Sequence, residues 1–381
     1  MPSSEAHAGD HGLDVLGAVA IVVVTTLAGF SQVYPPWAYP AAGLIAAVWG
    51  ARTAAALDTG NHQPLRVTAH QLVGILPPVW IVGLVTLPVI GRQGWPGPSS
   101  AAGTNWNREV LLTWLIPLAE PRPGDPGYHE LAGRLWLVRA LVWLTLLAPV
   151  LVFCVRTWTY RTTAVVMVLM AATTAGALGE QTGLATELGL SVGVLGGPWL
   201  LGVAHQDGRV RCGHPGWVVP AGVSLITGGV WCFTALPDEW DADQGATPRG
   251  LGASAALALG VTLLALRFAP TLARLPTHRQ ASRVVDLLRR RMLTLYLWAG
   301  TCGFLTTVMP RPPWVDGLPW PDAGWATCQV AVTWAGALAA AAVLGWVEDL
   351  GADRLPPAVS RRGWARHATA STATASGEDG P

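Results

Sequence analysis

Eight ionisable residues lie within or near the ends of long apolar segments, where an uncompensated charge costs several kcal/mol. Those within the segments are Asp14, Arg52, Arg139 and Glu187, and those near the ends are His70, Arg134, His205 and Arg267. Carboxylates and imidazoles can transfer protons, and a buried guanidinium can bind an anionic group or a developing oxyanion. We therefore predict that Asp14, Glu187 and His205 are the catalytic candidates and that Arg139 binds substrate.

Each of these residues also has a structural interpretation. A carboxylate at Asp14 suits the start of a helix, where the macrodipole favours negative charge. Arg139 could extend its guanidinium to the bilayer surface, or it could pair with Glu187. His205 could be an ordinary loop residue in the stretch that follows its apolar segment. Their positions in space decide between the structural and the catalytic interpretation.

Tryptophan is frequent, with 20 residues in a chain of 381. Many of these residues flank the apolar segments, among them Trp37, Trp136, Trp217 and Trp325. That placement is typical of the aromatic belt at a membrane surface. The alternative is that some rings line a site and stabilise a cation.

An acidic cluster at residues 348–353 follows the last apolar segment. If the helix continued, Asp349 and Asp353 would share a face and could hold Mg²⁺ and a diphosphate. Gly351 between them disfavours a continued helix, so a solvated helix end is the main interpretation and no metal ligand is predicted. The net charge of +1 gives no indication of nucleic-acid binding.

The segments that must position these residues are long and apolar. The chain is 51% hydrophobic and 12% charged, whereas a soluble domain has about 25% charged residues. A membrane-spanning helix needs about 20 predominantly apolar residues. We therefore predict an all-α, polytopic membrane helix bundle with about ten transmembrane helices. The predicted spans are residues 13–30, 37–57, 69–90, 131–154, 163–179, 183–203, 215–236, 250–267, 292–309 and 325–347.

The arginines predict how the bundle is oriented. With the N-terminus inside the cell, the inner loops and tail carry sixteen arginines and the outer loops carry six, as the positive-inside rule requires. This predicts a multi-pass protein of the cell membrane with both termini cytoplasmic. Residues 1–12 form the N-terminal segment, 13–347 the membrane domain and 348–381 a largely disordered tail. The lipid bilayer is the predicted partner, and the sequence leaves the oligomeric state open.

Five stretches, in order, resemble the membrane acyltransferase family of type three, whose members have ten spans. Residues 13–20 (LDVLGAVA) are similar to the family's L-D-x-L-R-x-x-A, and residues 76–80 (LPPVW) to its L-P-P-Y-W. Residues 135–140 (LWLVRA) and 146–149 (LLAP) are similar to its W-Y-L-R and L-L-x-P. Residues 293–298 (LTLYLW) are similar to its I-Y-L-W-H.

The resemblance implies an activity. A type-three acyltransferase moves an acyl group from acyl-CoA, a thioester donor, to a hydroxyl of a lipid, a sugar or a secondary metabolite, with a first-span His as general base. In this chain Gly17 and Ala28 stand where the family has its opening Arg and that His, and Ala299 stands where a later His follows I-Y-L-W. A divergent member of this kind would use Glu187 or His205 as the base instead.

The resemblance also suggests which residues contact the substrate. Arg139 would hold an anionic group. Trp136, Tyr296 and Trp298 lie in the matched stretches and are predicted to bind a hydrophobic small molecule.

Two other functions fit the composition. The same scaffold could be a terpene cyclase, in which Asp14 or Glu187 protonates an alkene as a carboxylic acid and tryptophan faces stabilise the carbocation. Such an enzyme would need no acyl donor. The protein could also be non-catalytic, as a transporter or a structural partner within the membrane.

Overall fold

A computed structural model defines the fold for most of the chain. It describes residues 3–30, 38–59, 63–92, 114–118, 135–158, 161–163, 165–166, 168–169, 184–212, 215–235, 240–241, 245–246, 248–272, 279–317 and 319–348. The statements below concern these residues. The predicted span 163–179 lies largely outside them, as do residues 349–381 of the predicted tail.

The described chain is built from α-helices, numbered here in chain order. They are α1 (Ser3–Phe30), α2 (Ala38–Thr59), α3 (Pro64–Arg92), α4 (Trp136–Thr157), α5 (Leu184–Gln206), α6 (Arg209–Cys212), α7 (Pro215–Ala235), α8 (Pro248–Leu272), α9 (Arg279–Arg290), α10 (Met292–Val308), α11 (Pro313–Asp316) and α12 (Pro321–Leu344). Two strands of two residues each, β1 (Trp240–Asp241) and β2 (Gly245–Ala246), pair antiparallel between α7 and α8.

Seven of these helices are long and apolar enough to cross a membrane, namely α1, α2, α3, α4, α7, α8 and α12. Two further predicted spans are also helices, α5 with 23 residues and α10 with 17 residues. A helix satisfies its backbone hydrogen bonds internally, which is what the hydrocarbon core of a bilayer demands. The predicted all-α membrane bundle is therefore confirmed, and the chain is a multi-pass membrane protein.

The helix α2 lies at the centre of the bundle, packed against α1, α5 and α8. Its closest neighbour is α5, and two glycines allow the backbones to meet. A Cβ on Gly50 would strike the backbone of Trp199, and a Cβ on Gly202 would strike the carbonyl of Ala47. Small residues at such crossings are typical of membrane helix pairs, because lipid supplies no hydrophobic force to press helices together.

Two helices lie at the periphery. The helix α7 packs mainly against α8, and α12 packs against α10 and α1. Both leave most of their apolar surface uncovered, including Val223 on α7 and Val343 on α12. These are the surfaces that face lipid.

The ends of many helices meet at one end of the bundle, which we call the arginine-rich end. It comprises the start of α1, α3, α7 and α10, the close of α2, α4, α5, α8 and α12, and the short helices α6 and α9. Contacts between chain-distant residues join them: Gly12 abuts Ala269, and Arg209 donates to the carbonyl of Val155 at 3.1 Å. The arginine count predicts that this end is cytoplasmic.

Candidate functional site

The carboxylate of Asp14 is held by two guanidinium groups at the arginine-rich end. Arg52 on α2 donates from Nη2 to Oδ1 at 3.1 Å, and Nε of Arg289 on α9 lies 3.7 Å from Oδ2. The Asp14 side chain is 18% exposed, so this cluster is partly shielded from water. The hydrogen bond from Arg52 and the ion pair with Arg289 tie three helices together.

A second charged cluster joins the closing turns of α2, α4 and α5. Arg156 donates to both oxygens of Asp58, at 2.6 and 3.1 Å, and to both oxygens of Asp207, at 2.8 and 3.3 Å. A guanidinium presents its donors in a flat fork, which matches two carboxylates at once. The cluster therefore fixes where three helices end relative to one another.

Polar side chains continue from these clusters into the bundle along α2. The indole of Trp49 donates to the hydroxyl of Thr145 on α4 at 3.1 Å, and the amide of Gln71 on α3 donates to the hydroxyl of Thr53 at 3.0 Å. Thr53 and Thr145 are buried. Through Trp49, Arg52 and Thr53 the helix α2 makes polar contacts with α4, α1 and α3.

These contacts were missed from the sequence, although a signal for them exists. Trp49, Arg52 and Thr53 are spaced three and four residues apart in an otherwise apolar helix, so they emerge close together on its surface. Their partners, Thr145 and Gln71, are brought to them by helix packing, and nothing in the sequence around these two residues indicates the contacts.

His205 occupies the last turn of α5 and is 1% exposed. Two residues further on, Asp207 binds Arg156. The chain then turns through Gly208, which has a φ of 76° and donates its N–H to the carbonyl of His205 at 3.0 Å. The left-handed conformation favours glycine there. The turn at Gly208 ends α5 and keeps His205 at the arginine-rich end, beside the cluster around Arg156.

Arg139 lies near the opposite end of the bundle. It is in the first turn of α4 and is 5% exposed. Seventeen residues of helix, about 25 Å at 1.5 Å per residue, separate it from Arg156. Trp136 lies one turn away and packs on Tyr39 of α2, with ring centroids 4.8 Å apart. Glu187 is in the first turn of α5, towards the same end, and its side chain falls outside the described part of the structure.

Tyr296 and Trp298 lie on α10, in the half nearer the arginine-rich end. Tyr296 is buried, and Trp298 is partly buried against the main core. The start of this helix is capped by Glu348, which follows α12 in the chain and accepts from the backbone N–H and the hydroxyl of Thr294 at 2.6 and 2.8 Å. A carboxylate at a helix N-terminus is stabilised by the orphan N–H groups there.

The predicted site residues thus fall into two groups. Asp14, His205, Tyr296 and Trp298 belong to the half of the bundle at the arginine-rich end, whereas Arg139, Trp136 and Glu187 belong to the opposite half. Within the described ranges, no group of three or more His, Cys, Asp or Glu side chains is arranged to hold a metal ion. Asp349 and Asp353 lie outside those ranges.

The arginine-rich end combines partly exposed guanidinium groups with the buried imidazole of His205 and the buried hydroxyl of Thr53. Comparison of the chain with models of protein families, with curated proteins and with solved structures finds no match.

Proposed function

We propose that this protein is a membrane acyltransferase that moves an acyl group from a thioester donor to a hydroxyl of a lipid, sugar or secondary metabolite. The observation that carries the proposal is the buried imidazole of His205 at the arginine-rich end. Histidine is the side chain best suited to accept and return a proton near neutral pH. The motif resemblance over most of the apolar chain supports the same activity.

In the proposed reaction, the imidazole of His205 accepts the proton of the acceptor hydroxyl as that oxygen attacks the thioester carbonyl carbon. The carbon–sulfur bond breaks, the acyl–oxygen bond forms, and the departing thiolate takes the proton from the imidazolium. A positioned base contributes about 10²–10⁴-fold to such a step. Burial of His205 keeps bulk water away from the thioester, which favours transfer over hydrolysis.

The charge at this end suits the donor. An acyl-CoA is a polyanion, and arginine binds phosphate groups through paired N–H donors. Arg52 and Arg289 lie here, both partly exposed, with Asp14 between them. The donor would therefore approach from the side on which the arginines concentrate, and the acyl chain would enter the apolar interior where Tyr296 and Trp298 lie.

The pairing of Asp14 bears on the cyclase alternative. Protonation of an alkene needs a neutral carboxylic acid aimed at the substrate. Asp14 instead accepts a hydrogen bond from Arg52 at 3.1 Å, which favours a structural role in the cluster. Acyl transfer with His205 as base does not require Asp14 to act as a proton donor.

The activity is tested with the purified protein in lipid vesicles, supplied with acyl-CoA donors of several chain lengths and with membrane extracts as acceptors. Release of free thiol and appearance of the acyl group in an ester are measured together. We expect His205→Gln to reduce both by at least about 10²-fold. His70→Gln, a change at a half-buried histidine of α3, is the matched control and should leave the rate within about twofold. If no donor loses its acyl group to any acceptor pool, the protein is not an acyltransferase.

We also infer that the protein resides in the cell membrane with both termini cytoplasmic, because the loops at the arginine-rich end carry most of the arginines. Two reporter fusions test this orientation. A reporter that is active only in the cytoplasm is fused after Met309 in one protein and after Gln206 in another. Activity is expected from the fusion at Gln206, which follows α5 at the arginine-rich end. Activity from the fusion at Met309, beyond α10, would reverse the orientation.

A further inference from the structure

The helix α9 has two unlike faces. Val285 packs against the main core and Leu288 is buried. On the other side Val284 and Leu287 are 53% and 52% exposed, and they stand one turn apart, so their side chains form one apolar strip. This strip is not covered by any other described element.

Arginines flank the exposed strip. Arg283 and Arg290 are both exposed and lie two turns apart on the same side of the helix. An apolar strip bordered by arginines is the arrangement by which a helix lies in the plane of a membrane surface. Its apolar side chains enter the boundary of the hydrocarbon while its guanidinium groups reach the phosphates.

The position of α9 also fits a membrane surface. With 12 residues it is too short to cross a bilayer. A single residue, Arg291, separates it from α10, and the guanidinium of Arg291 donates to the carbonyl of Gly345 at the close of α12. Arg289 binds Asp14 of α1 from the inner side. The helix is therefore fixed at the level where α1, α10 and α12 leave the hydrocarbon.

We propose that α9 is an interfacial helix whose outer face binds acidic phospholipids of the adjoining leaflet. The phosphate headgroups would lie against Arg283 and Arg290, and the upper acyl chains against Val284 and Leu287. Each basic side chain near an anionic surface contributes an attraction that salt screens within a Debye length. This interaction involves the outer face of α9 and is independent of any transfer reaction at His205.

The test uses the full-length protein carrying a photoreactive benzoylphenylalanine at position 287, in vesicles with equal amounts of phosphatidylglycerol and phosphatidylcholine. After irradiation, the two crosslinked lipids are quantified by mass spectrometry. We expect about a fivefold preference for phosphatidylglycerol at position 287. The same residue placed at Val223, on the lipid-facing side of α7, should show no preference.

Charge variants then connect the preference to the arginines. Arg283→Gln with Arg290→Gln should reduce the ratio to about one, whereas Arg283→Lys with Arg290→Lys should retain most of it. Arg66→Gln, an exposed arginine at the start of α3 on the same end of the bundle, is the matched control and should leave the ratio unchanged. Because the ratio compares two lipids on the same folded protein, a lower yield of a variant does not obscure the result.

Three outcomes would overturn the proposal. One is an equal yield of the two lipids at position 287. Another is crosslinking of position 287 to a protein and to no lipid. The third is a loss of the preference with inorganic phosphate but not with sodium chloride at the same ionic strength, because that would indicate a site for a free anion.

Discussion

Arg156 and Asp58, which are 98 residues apart in the chain, form a two-pronged ion pair with N–O distances of 2.6 and 3.1 Å. The same guanidinium also binds Asp207. One side chain thus joins α2, α4 and α5 where they leave the bilayer. Removal of Arg156 should destabilise this cluster more than removal of either carboxylate, because Asp58 and Asp207 would then face each other without a compensating positive charge.

Arg156→Gln should therefore lower the free energy of unfolding by about 1–2 kcal/mol, a moderate value because the cluster is partly exposed. Arg156→Lys keeps the charge but loses the fork and should recover about half of the loss. The midpoint of thermal unfolding in detergent measures both. Arg66→Gln is the control for removal of an exposed arginine, and an equal loss there would contradict a special role for Arg156.

The hydrogen bond between Trp49 and Thr145 can be isolated with a double-mutant cycle. Trp49→Phe leaves the buried Thr145 hydroxyl without this donor, and Thr145→Val leaves the indole N–H without this acceptor. Each should cost about 1 kcal/mol of unfolding free energy. The double variant should cost less than the sum, because no polar atom of the pair is then left unmatched. Strictly additive losses would show that the bond contributes nothing.

The close crossing of α2 and α5 makes a steric prediction. Gly202→Ala places a methyl group against the carbonyl of Ala47, so the helices must separate. The cost should be about 3 kcal/mol or more, and the yield of folded protein should fall. Gly228→Ala on α7 is the matched control. Nothing lies within 4 Å of a Cβ there, and alanine should raise stability by up to about 1 kcal/mol. Similar behaviour of the two variants would contradict the crossing.

Glu348 should stabilise α10 from outside that helix. Glu348→Ala removes the acceptor for the N–H and hydroxyl of Thr294 and should cost about 1–2 kcal/mol. Glu348→Gln retains an acceptor oxygen without the charge and should cost about half as much. Thermal unfolding gives the ranking, and a glutamine variant as unstable as the alanine variant would argue against capping by Glu348.

The contact between Asp14 and Arg289 should hold α9 to the first span. In Asp14→Asn the attraction is weakened at nearly constant volume, so the amides of residues 279–290 should exchange with deuterium several-fold faster. Asp286→Asn is the control, since Asp286 lies 3.8 Å from Arg289 within the same helix and does not join it to α1. Unchanged exchange in Asp14→Asn would show that the ion pair with Asp14 does not hold the helix.

The sequence predicts the spans well because hydropathy over about 20 residues is a local property. It also singled out Asp14 and His205, since an ionisable residue in an apolar segment stands out whatever its neighbours are. Their partners could not be predicted in this way. The contact of Asp14 with Arg52 and the burial of His205 depend on which helices lie side by side, and hydropathy does not contain that information.

Two features show where more could have been read from the sequence. Residues 279–291 lie between two predicted spans, but Val285, Leu288 and Met292 are spaced three and four residues apart, as in an amphipathic helix. Arg139 and Glu187 lie in the first turns of α4 and α5, at the same end of the bundle. Asp14 and His205 lie in the other half of the bundle. Because each successive span reverses direction, the start of the first span and the end of the sixth predicted span are at the same side of the membrane.

The central position of α2 has a consequence for how the protein is made. This helix carries Arg52 and Asp58, and its neighbours α5 and α8 are synthesised more than a hundred residues later. Until then Arg52 can pair with Asp14 of α1 and Asp58 with Arg156 of α4, but the glycine-lined surface of α2 has no helix to meet. A nascent chain that ends before α5 therefore leaves α2 poorly suited to lipid, and its release from the insertion machinery should wait for the later helices.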